Sequence, residues 1–325
     1  MNAAAPAPTP APGRAPELVA PTSLEEAATI LSDAGAAGRT VSIGRDGGDT
    51  VLVTTGLDRV LEHEPGDLIV IVEAGLRLSA LDAALAPHGQ LLALDPPGDP
   101  TVGACLAANL SGPRRHRYGA PRDLVLGATL VLADGTIASS GGKVVKNVAG
   151  FDLGKLVCGS AGSLALIGRV CLRLHPRPAA AATVVAPVPD AATAVRLASL
   201  VLRSTLAPSA VDVHWPERLA LLFEGSERAV AAQVATAREL LGAEPAADPD
   251  AVWHDAGARQ LAACGRVSFA PGELAQLLAA HPSAIVRAGS GAAWVPDPVA
   301  DSRSAGVRAL EARIKAQLDP QGVLA

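Results

Sequence analysis

The chain has 325 residues, of which 49% are hydrophobic and 18% are charged, so it can bury a sizeable core and is long enough for two domains. Its net charge of −5 and the absence of a basic stripe argue against nucleic acid as a partner. No apolar run approaches the roughly 18 residues that span a bilayer, so we expect no transmembrane segment.

Residues 1–16 (MNAAAPAPTPAPGRAP) are rich in alanine and proline. They lack the basic start and the apolar stretch of a signal peptide. We therefore expect a disordered tail on a cytoplasmic protein, with ordered structure from residue 17 onward.

The four cysteines are Cys105, Cys158, Cys171 and Cys264, and no two of them form a CxxC pair. A self-contained zinc or iron–sulfur site needs closely spaced ligands, so the sequence predicts no metal centre. The first three lie among apolar neighbours, which indicates buried thiols.

Residues 17–178 alternate between short helices and strands. Capping-box spacing at 22–26, followed by apolar residues every three or four positions, predicts a first helix. A second predicted helix has three leucines on one face between residues 78 and 85 and ends at 88–89. Strands are predicted on either side of a glycine-rich turn within 40–53 and then at 67–73, 127–132 and 164–174, with a short helix within 143–162.

The segment from Leu94 to Val125 is neither a clean helix nor a clean strand and is rich in proline and glycine. Loops of this length inside a compact domain are usually functional. We therefore expect this segment to contribute to a binding site.

The run His175-Pro176-Arg177-Pro178 breaks the pattern, and we place the domain boundary there. Residues 179–325 alternate strand, helix and strand about twice, which is typical of a ferredoxin-like α+β sheet with helices on one face. Helices are predicted after Asp190, after Ser226, over 271–280 and around 307–314. Strands are predicted at 183–187, 210–214, 219–224, 266–269, 284–287 and 292–295.

The two common nucleotide fingerprints, G-x-G-x-x-G after a strand and G-x-x-x-x-G-K-[ST], are both missing. Glycine-rich turns can still offer backbone N–H groups to phosphate oxygens and let the backbone approach a ligand closely. Three segments have this character, and each also has a plainer structural interpretation.

A pyrophosphate site or an ordinary hairpin turn would fit the first segment, which consists of Gly44, Arg45, Asp46, Gly47, Gly48 and Asp49. A phosphate contact or a surface loop would fit the second, which contains Pro97, Thr101, Val102, Gly103, Asn109 and Gly112. A site for phosphate and adenine, or a tight connection into a buried strand, would fit the third, which contains Gly159, Ser160 and Gly162.

The segment from Gly141 to Pro178 resembles the flavin domain of the vanillyl-alcohol oxidase/p-cresol methylhydroxylase (PCMH-type) family. In that family Lys-Asn-x-x-Gly-Tyr-Asp-Leu-x-x-Leu precedes Gly-Ser-x-Gly-x-Leu-Gly. The matching residues here are Lys146, Asn147, Gly150, Phe151, Asp152, Leu153, Leu156, Gly159, Ser160 and Gly162. DLIVIVEAG (67–75) and PPGDPTVGACLAANLSGPRR (96–115) are similar to further signatures of the family, in the same order, over about half of the chain.

The resemblance implies an α+β fold in which a PCMH-type FAD-binding domain of two α/β lobes precedes a smaller cap domain. It implies noncovalently bound FAD, with the pyrophosphate at the first turn, the isoalloxazine near residues 101–117 and the adenine near Leu166 and Ile167. The run LSGPRRHRYGAPRDLVLG adds four cofactor-binding residues by the same resemblance, namely Arg114, Tyr118, Gly119 and Asp123.

The resemblance also implies an FAD-dependent oxidoreductase acting on CH–OH donors, as the FAD-binding subunit of a glycolate- or D-lactate-type 2-hydroxy-acid oxidase complex. Its partners would be a second flavin subunit and an iron–sulfur subunit, through which it would associate with a membrane. Ala104, Ala165 and Gly168 depart from the family's glycine, glycine and threonine, which keeps open a structural subunit without flavin. A stand-alone FAD-dependent alcohol oxidase is the third interpretation.

Oxidation of a 2-hydroxy acid needs a base for the hydroxyl proton and a cation for the carboxylate. The cation could come from Arg114, Arg115, Arg117 or Arg122, which could equally contact the flavin phosphates, solvent or a partner. His175 and His214 are possible bases, although a lone histidine is more often structural. The sequence therefore assigns no catalytic residue.

Overall fold

The computed structural model describes residues 16–143 and 151–325. The predicted disordered tail and the Lys146, Asn147 and Gly150 positions of the flavin-domain motif lie outside these ranges. Within them, every helix is too short or too polar to cross a bilayer.

The described residues form a mixed α+β structure, which confirms the predicted fold class. The strands are β1 Glu17–Val19, β2 Val41–Ile43, β3 Thr50–Leu52, β4 Val60–Glu64, β5 Ile69–Glu73, β6 Gln90–Leu91, β7 Val125–Val131, β8 Ile137–Gly141, β9 Leu166–Arg173, β10 His175–Pro176, β11 Ala180–Pro187, β12 Ala210–Trp215, β13 Arg218–Gly225, β14 Glu244–Pro245, β15 Gly265–Ser268, β16 Ala284–Arg287 and β17 Ala292–Val295. The helices are α1 Leu24–Ala36, α2 Leu78–Leu85, α3 Val102–Ala107, α4 Arg115–Tyr118, α5 Pro121–Leu124, α6 Leu153–Leu156, α7 Ala191–Arg203, α8 Glu227–Leu241, α9 Pro249–Ala262, α10 Leu274–Ala280 and α11 Ala305–Leu318.

The first lobe contains a small parallel sheet with the strand order β1-β3-β2. Ser23 caps α1 by accepting a hydrogen bond from the Glu26 N–H, and the helix buries its apolar face in the core of this lobe. Because β2 and β3 pair in parallel, the glycine-rich segment between them is not the hairpin turn that its spacing allowed.

The C-terminal end of the chain returns to this first lobe. The Val41 N–H donates to the Val323 carbonyl at 2.6 Å, and the Ala325 N–H donates to the Val41 carbonyl at 2.9 Å. Val323 and Leu324 are buried in the same apolar cluster as α1. We call residues 319–325 the C-terminal tail.

The second lobe is a five-stranded antiparallel sheet with the order β4-β5-β9-β7-β8. The apolar runs predicted as strands at 67–73 and 164–174 form β5 and the central strand β9, since burial on a sheet face favours such runs. Leucines of α2, together with Val102 and Leu106 of α3, pack in the core of this lobe.

The cap is a seven-stranded antiparallel sheet with the order β14-β11-β13-β12-β16-β17-β15. Helices α7, α8 and α10 contribute to the apolar core on one face. The prediction of helices on one face only is wrong, because α9 contacts β16 and β17 from the other side. Its weakly periodic sequence, with polar Gln260 among its buried residues, gave no helical signal.

Candidate functional site

A cavity of about 220 Å³ lies between the two lobes of the first domain. The turn after β2, helix α3 and the segment that leads into β9 contribute to its walls. Its lining residues are Ile43, Gly44, Arg45, Thr54, Thr101, Gly103, Ala104, Ala107, Ala108, Ala161, Gly162, Ala165, Leu166 and Ile167. We call it the interlobe cavity.

The turn after β2 lies at the edge of the interlobe cavity, which Gly44 and Arg45 of this turn line. Gly44, Gly47 and Gly48 have positive φ angles of 65°, 131° and 68°. Ser42 stabilises the turn from inside, because its hydroxyl lies 2.8 Å from the Arg45 carbonyl and 2.6 Å from the Gly47 carbonyl. Within the part of the chain that the structure describes, the N–H groups of residues 45–47 have no acceptor, so they are available to phosphate oxygens.

Asp49, at the end of this turn, has a structural role. Its carboxylate accepts hydrogen bonds from the Thr40 N–H at 2.8 Å and the Thr40 hydroxyl at 3.0 Å. These hydrogen bonds lower the pKa of Asp49. The neighbouring Arg45 side chain donates to the carbonyl of Ala325, so the turn is also fastened to the C-terminal tail.

Helix α3 begins at the mouth of the interlobe cavity. Thr101 is its N-cap, and the Thr101 hydroxyl accepts the Ala104 N–H at 3.1 Å, which leaves its proton free for another acceptor. Gly103 lies so close to β5 that a Cβ atom would stand 2.8 Å from the Ala74 Cβ. Val102 points into the core of the second lobe, whereas the Ala104 methyl group is exposed in the cavity.

Two buried polar groups, one in the turn before β9 and one beside it, have no partner among the described residues. Gly159, Ala161 and Gly162 all have positive φ angles, and Asn109, which lies beside Gly159, has a φ of 50°. Among the described residues, neither the Asn109 Oδ1 nor the Ser160 Oγ has a hydrogen-bond partner. Buried polar atoms of this kind usually have partners, so their position suits a bound ligand.

These residues fit a flavin nucleotide. The free N–H groups suit phosphates, the apolar side chains of Ile43, Leu166 and Ile167 suit a planar ring, and the two orphaned polar atoms suit its hydrogen-bonding groups. The volume is below the roughly 300 to 1,000 Å³ of small-molecule sites, so this cavity holds only part of a dinucleotide. A second cavity of about 680 Å³ lies between the same turn and α11 and shares Ala161 with the first.

The structure brings together one set of the predicted cofactor-binding residues around the interlobe cavity, namely Gly44, Arg45, Thr101, Gly103, Gly162, Leu166 and Ile167. Gly159, Ser160 and Asn109 lie directly beside them, and Asp46, Gly47, Gly48 and Asp49 complete the first turn. Sequence reasoning missed the wall residues Ile43, Thr54, Ala107, Ala108 and Ala161, because apolar and small residues in ordinary elements have no distinguishing pattern.

The other predicted residues lie away from this cavity. Pro97 and Arg114 line a separate cleft of about 500 Å³ beneath the cap, and Gly112 lets the backbone contact the Asp95 carbonyl. The Tyr118 ring packs edge-on against His175. Asp123 accepts the Ala120 N–H and lies against Gly119. These contacts place all six residues away from the interlobe cavity, and their contact with FAD stays a prediction.

The arginines and histidines considered for catalysis have different surroundings. Arg114 forms an ion pair with the buried Glu224 at 2.7 Å, and Arg117 donates to the Glu224 carbonyl. Arg122 is exposed on α5. His214 is fully buried, and burial lowers its pKa to about 4, which keeps the ring neutral but removes it from solvent.

One departure from the family motif has a packing explanation. A Cβ atom on Gly168 would stand 2.3 Å from the Leu24 Cδ2 of α1, so a threonine here would require the Leu24 side chain to move. Glycine at this position therefore follows from the close packing of α1 on β9.

Residues 16–141 match the family described as "FAD binding domain". The chain is 33% identical over 191 residues to glycolate oxidase subunit GlcE of Escherichia coli, covering 58% of this chain and 53% of that protein. It is 32% identical over 208 residues to a D-lactate dehydrogenase of Archaeoglobus fulgidus, covering 60% of this chain and 46% of that protein.

Among solved structures, alkyldihydroxyacetonephosphate synthase aligns with a TM-score of 0.71 at 17% identity over 94% of this chain and 75% of that chain, which shows a shared fold. The chain spans about half of the length of the two curated relatives named above. The N-terminal part of the chain, residues 16–141, is therefore similar to an FAD-binding domain.

Proposed function

We propose that this chain is the FAD-binding subunit of an oxidoreductase that acts on the CH–OH group of a small 2-hydroxy acid. The observation that carries the proposal is the interlobe cavity, whose glycine turns and apolar walls lie within or beside a matched FAD-binding domain. The names of the relatives, glycolate oxidase and D-lactate dehydrogenase, support the substrate class.

Each part of the cavity has a role in this proposal. Bound FAD would supply the acceptor for the hydride of the substrate. The N–H groups of residues 45–47 and the Thr101 hydroxyl bind phosphate oxygens, and the Asn109 and Ser160 oxygens orient the cofactor. The apolar walls exclude water from the site.

The proposed partners are a second flavin subunit and an iron–sulfur subunit. GlcE and GlcD are the names of subunits of glycolate oxidase, which supports a complex. Burial raises the pKa of Cys105 to about 12 and that of Cys158 to about 11, so both thiols are protonated at neutral pH. Because the names of the relatives point to an enzyme with several subunits, onward electron transfer is proposed to use a partner.

A structural subunit without flavin is the second candidate. The methyl groups of Ala104 and Ala165 line the interlobe cavity where the related family has glycine, which reduces the space for a ring. FAD binding distinguishes the two candidates.

The experiment is a titration of purified protein with FAD, followed by a dye-reduction assay with glycolate and D-lactate in the presence of co-purified partners. We expect a yellow protein, and we expect Gly162→Val to weaken FAD binding at least tenfold, because Gly162 has a φ of 79° and faces Ile43. Gly66→Ala, in open space, is the matched control. A colourless protein that takes up no FAD would support the structural candidate instead.

A further inference from the structure

Two arginines of the cap lie over the same indole ring. Arg266 on β15 is the cross-strand partner of Trp294 on β17, and its guanidinium carbon is 5.6 Å from the centre of the indole. The guanidinium of Arg287, on the neighbouring strand β16, lies 4.1 Å from the same centre. Stacking on the indole fixes both guanidinium groups in place.

A third arginine reaches this place from the FAD-binding domain. Arg115 at the start of α4 donates to the Ser111 hydroxyl at 3.2 Å, and Arg287 donates to the Ser111 carbonyl at 2.8 Å. Ser111 therefore joins guanidinium groups from both sides of the domain interface. It follows Ala108, a wall residue of the interlobe cavity, by three positions.

The negative charges nearby do not balance this cluster. Arg287 is 3.8 Å from the buried Asp212 carboxylate and also donates to Gln260. Within residues 16–143 and 151–325, neither Arg115 nor Arg266 has a carboxylate oxygen within 4.0 Å. Asp95 is the other acid whose charge acts on Arg287.

The electrostatics show how crowded these cations are. Partial burial and the nearby Arg115 guanidinium lower the pKa of Arg266. Burial lowers the pKa of Arg287, with smaller contributions from Arg115 and Arg266 that oppose the effect of the acids. Arg287 is 2% exposed and Arg115 is half-buried, whereas part of Arg266 stays in contact with solvent, so an anion can reach the cluster from the Arg266 side.

We infer that Arg115 and Arg266, backed by Arg287 and Trp294, bind a small carboxylate anion between the cap and the FAD-binding domain. A carboxylate accepts two parallel hydrogen bonds from a guanidinium, and it would relieve the repulsion among three like charges. Resting on the proposed function, we assign this site to the carboxylate of the 2-hydroxy acid.

Trp294 supplies a direct readout for the test. Oxalate, a dicarboxylate that has no CH–OH group, is titrated into FAD-loaded protein and into protein without FAD while tryptophan fluorescence is recorded. We expect a saturable change in both forms. Arg266→Gln and Arg115→Gln should each weaken oxalate binding at least tenfold, and Trp294→Phe should remove most of the signal.

Arg313→Gln, which removes an exposed arginine from α11, is the matched control and should leave the affinity for oxalate unchanged. Equal binding by wild type, Arg266→Gln and Arg115→Gln would overturn the inference, as would a wild type that binds no oxalate. An equal loss of affinity in the control would do the same, since it would indicate a general charge effect.

Turnover separates this inference from the proposed function. If the protein binds oxalate and glycolate but oxidises no 2-hydroxy acid, the anion site is supported and the proposed function is rejected. If the protein oxidises glycolate and its KM for glycolate is unchanged in Arg266→Gln and Arg115→Gln, the proposed function is supported. The anion site is then not the site of the substrate carboxylate.

Discussion

At the scale of single residues, the interlobe cavity depends on places where two backbones nearly touch. Gly103 is the clearest case, because its backbone N–H donates to the Ala74 carbonyl at 2.7 Å while α3 lies against the end of β5. This contact sets the position of Thr101 and Ala104 at the mouth of the cavity.

Replacement of Gly103 tests this contact. We expect Gly103→Ala to lower the free energy of unfolding by about 1 to 3 kcal/mol, because the new methyl group would overlap Ala74 and displace α3. It should also weaken FAD binding, since α3 forms one wall. Denaturant unfolding and an FAD titration measure both effects, with Gly66→Ala as the control. Unchanged stability in Gly103→Ala would show that α3 can shift freely.

Individual residues were predictable where their function depends on local backbone. The three glycine-rich turns stood out in the sequence because N–H presentation and positive φ angles need such residues locally. The contact between Arg266 and Trp294 could not be predicted from the sequence, because the two residues come together only when the strands of the cap pair. Arg114 was predicted to contact the cofactor, but in the structure its guanidinium binds Glu224, which is 110 positions away.

At the scale of elements, the C-terminal tail is the least expected feature. Asp319 accepts the N–H groups of Val323 and Leu324, both at 2.8 Å, and forms an ion pair with Lys315 at 2.6 Å. Lys315 also donates to the Ser163 carbonyl at 2.7 Å. One buried carboxylate thus connects α11, the tail and the turn before β9.

Removal of this carboxylate should loosen the tail. We expect Asp319→Ala to destabilise the protein by about 2 to 4 kcal/mol, because two buried N–H groups lose their acceptor. The tail should also become sensitive to carboxypeptidase, and FAD affinity should fall because Arg45 is fastened to Ala325. Asp301→Ala, in an exposed ion pair, is the control. A protected tail in Asp319→Ala would contradict this account.

The periodicity of apolar residues predicted most helices and strands, but it did not predict which elements pack against each other. The helix around 307–314 was predicted from its apolar spacing, yet α11 exposes Val307 and Leu310. The pairing of the tail with β2 could not be predicted, because Arg45 and Ala325 are 280 positions apart and the tail is only a few residues long. Helix α9 was not predicted, because its apolar residues have only a weak helical periodicity. The sequence therefore also did not predict that a helix covers the second face of the cap sheet.

At the scale of the whole molecule, the cap and the FAD-binding domain meet through charged groups, and the described residues of the two form separate apolar cores. Arg114 donates to the Glu224 carboxylate from Nε and from Nη2, and its backbone N–H donates to Asp95. Glu224 is 7% exposed, and the Arg287 side chain crosses the interface to Ser111. The predicted domain boundary at residue 178 stays a prediction, but the tail shows that the last residues pack with the first lobe.

The Arg114–Glu224 ion pair should therefore stabilise the contact between the cap and the FAD-binding domain. We expect Glu224→Gln to lower the free energy of unfolding by about 1.5 to 3 kcal/mol, because the Arg114 guanidinium loses its charged acceptor in a buried place. Glu244→Gln, in the exposed pair with Arg238, should change stability by less than about 1 kcal/mol. Denaturation followed by circular dichroism and by tryptophan fluorescence measures both. Equal effects of the two substitutions would mean that the interface pair contributes no special coupling.

The return of the tail has a mechanical consequence. The chain enters the cap once, after β10, and leaves it once, through α11, and both ends are anchored in the FAD-binding domain. A body held at two points can swing about the line that joins them but can hardly slide or turn away. The two anchors therefore restrict any displacement of the cap relative to the cavity, which helps to hold Arg266 near Arg115.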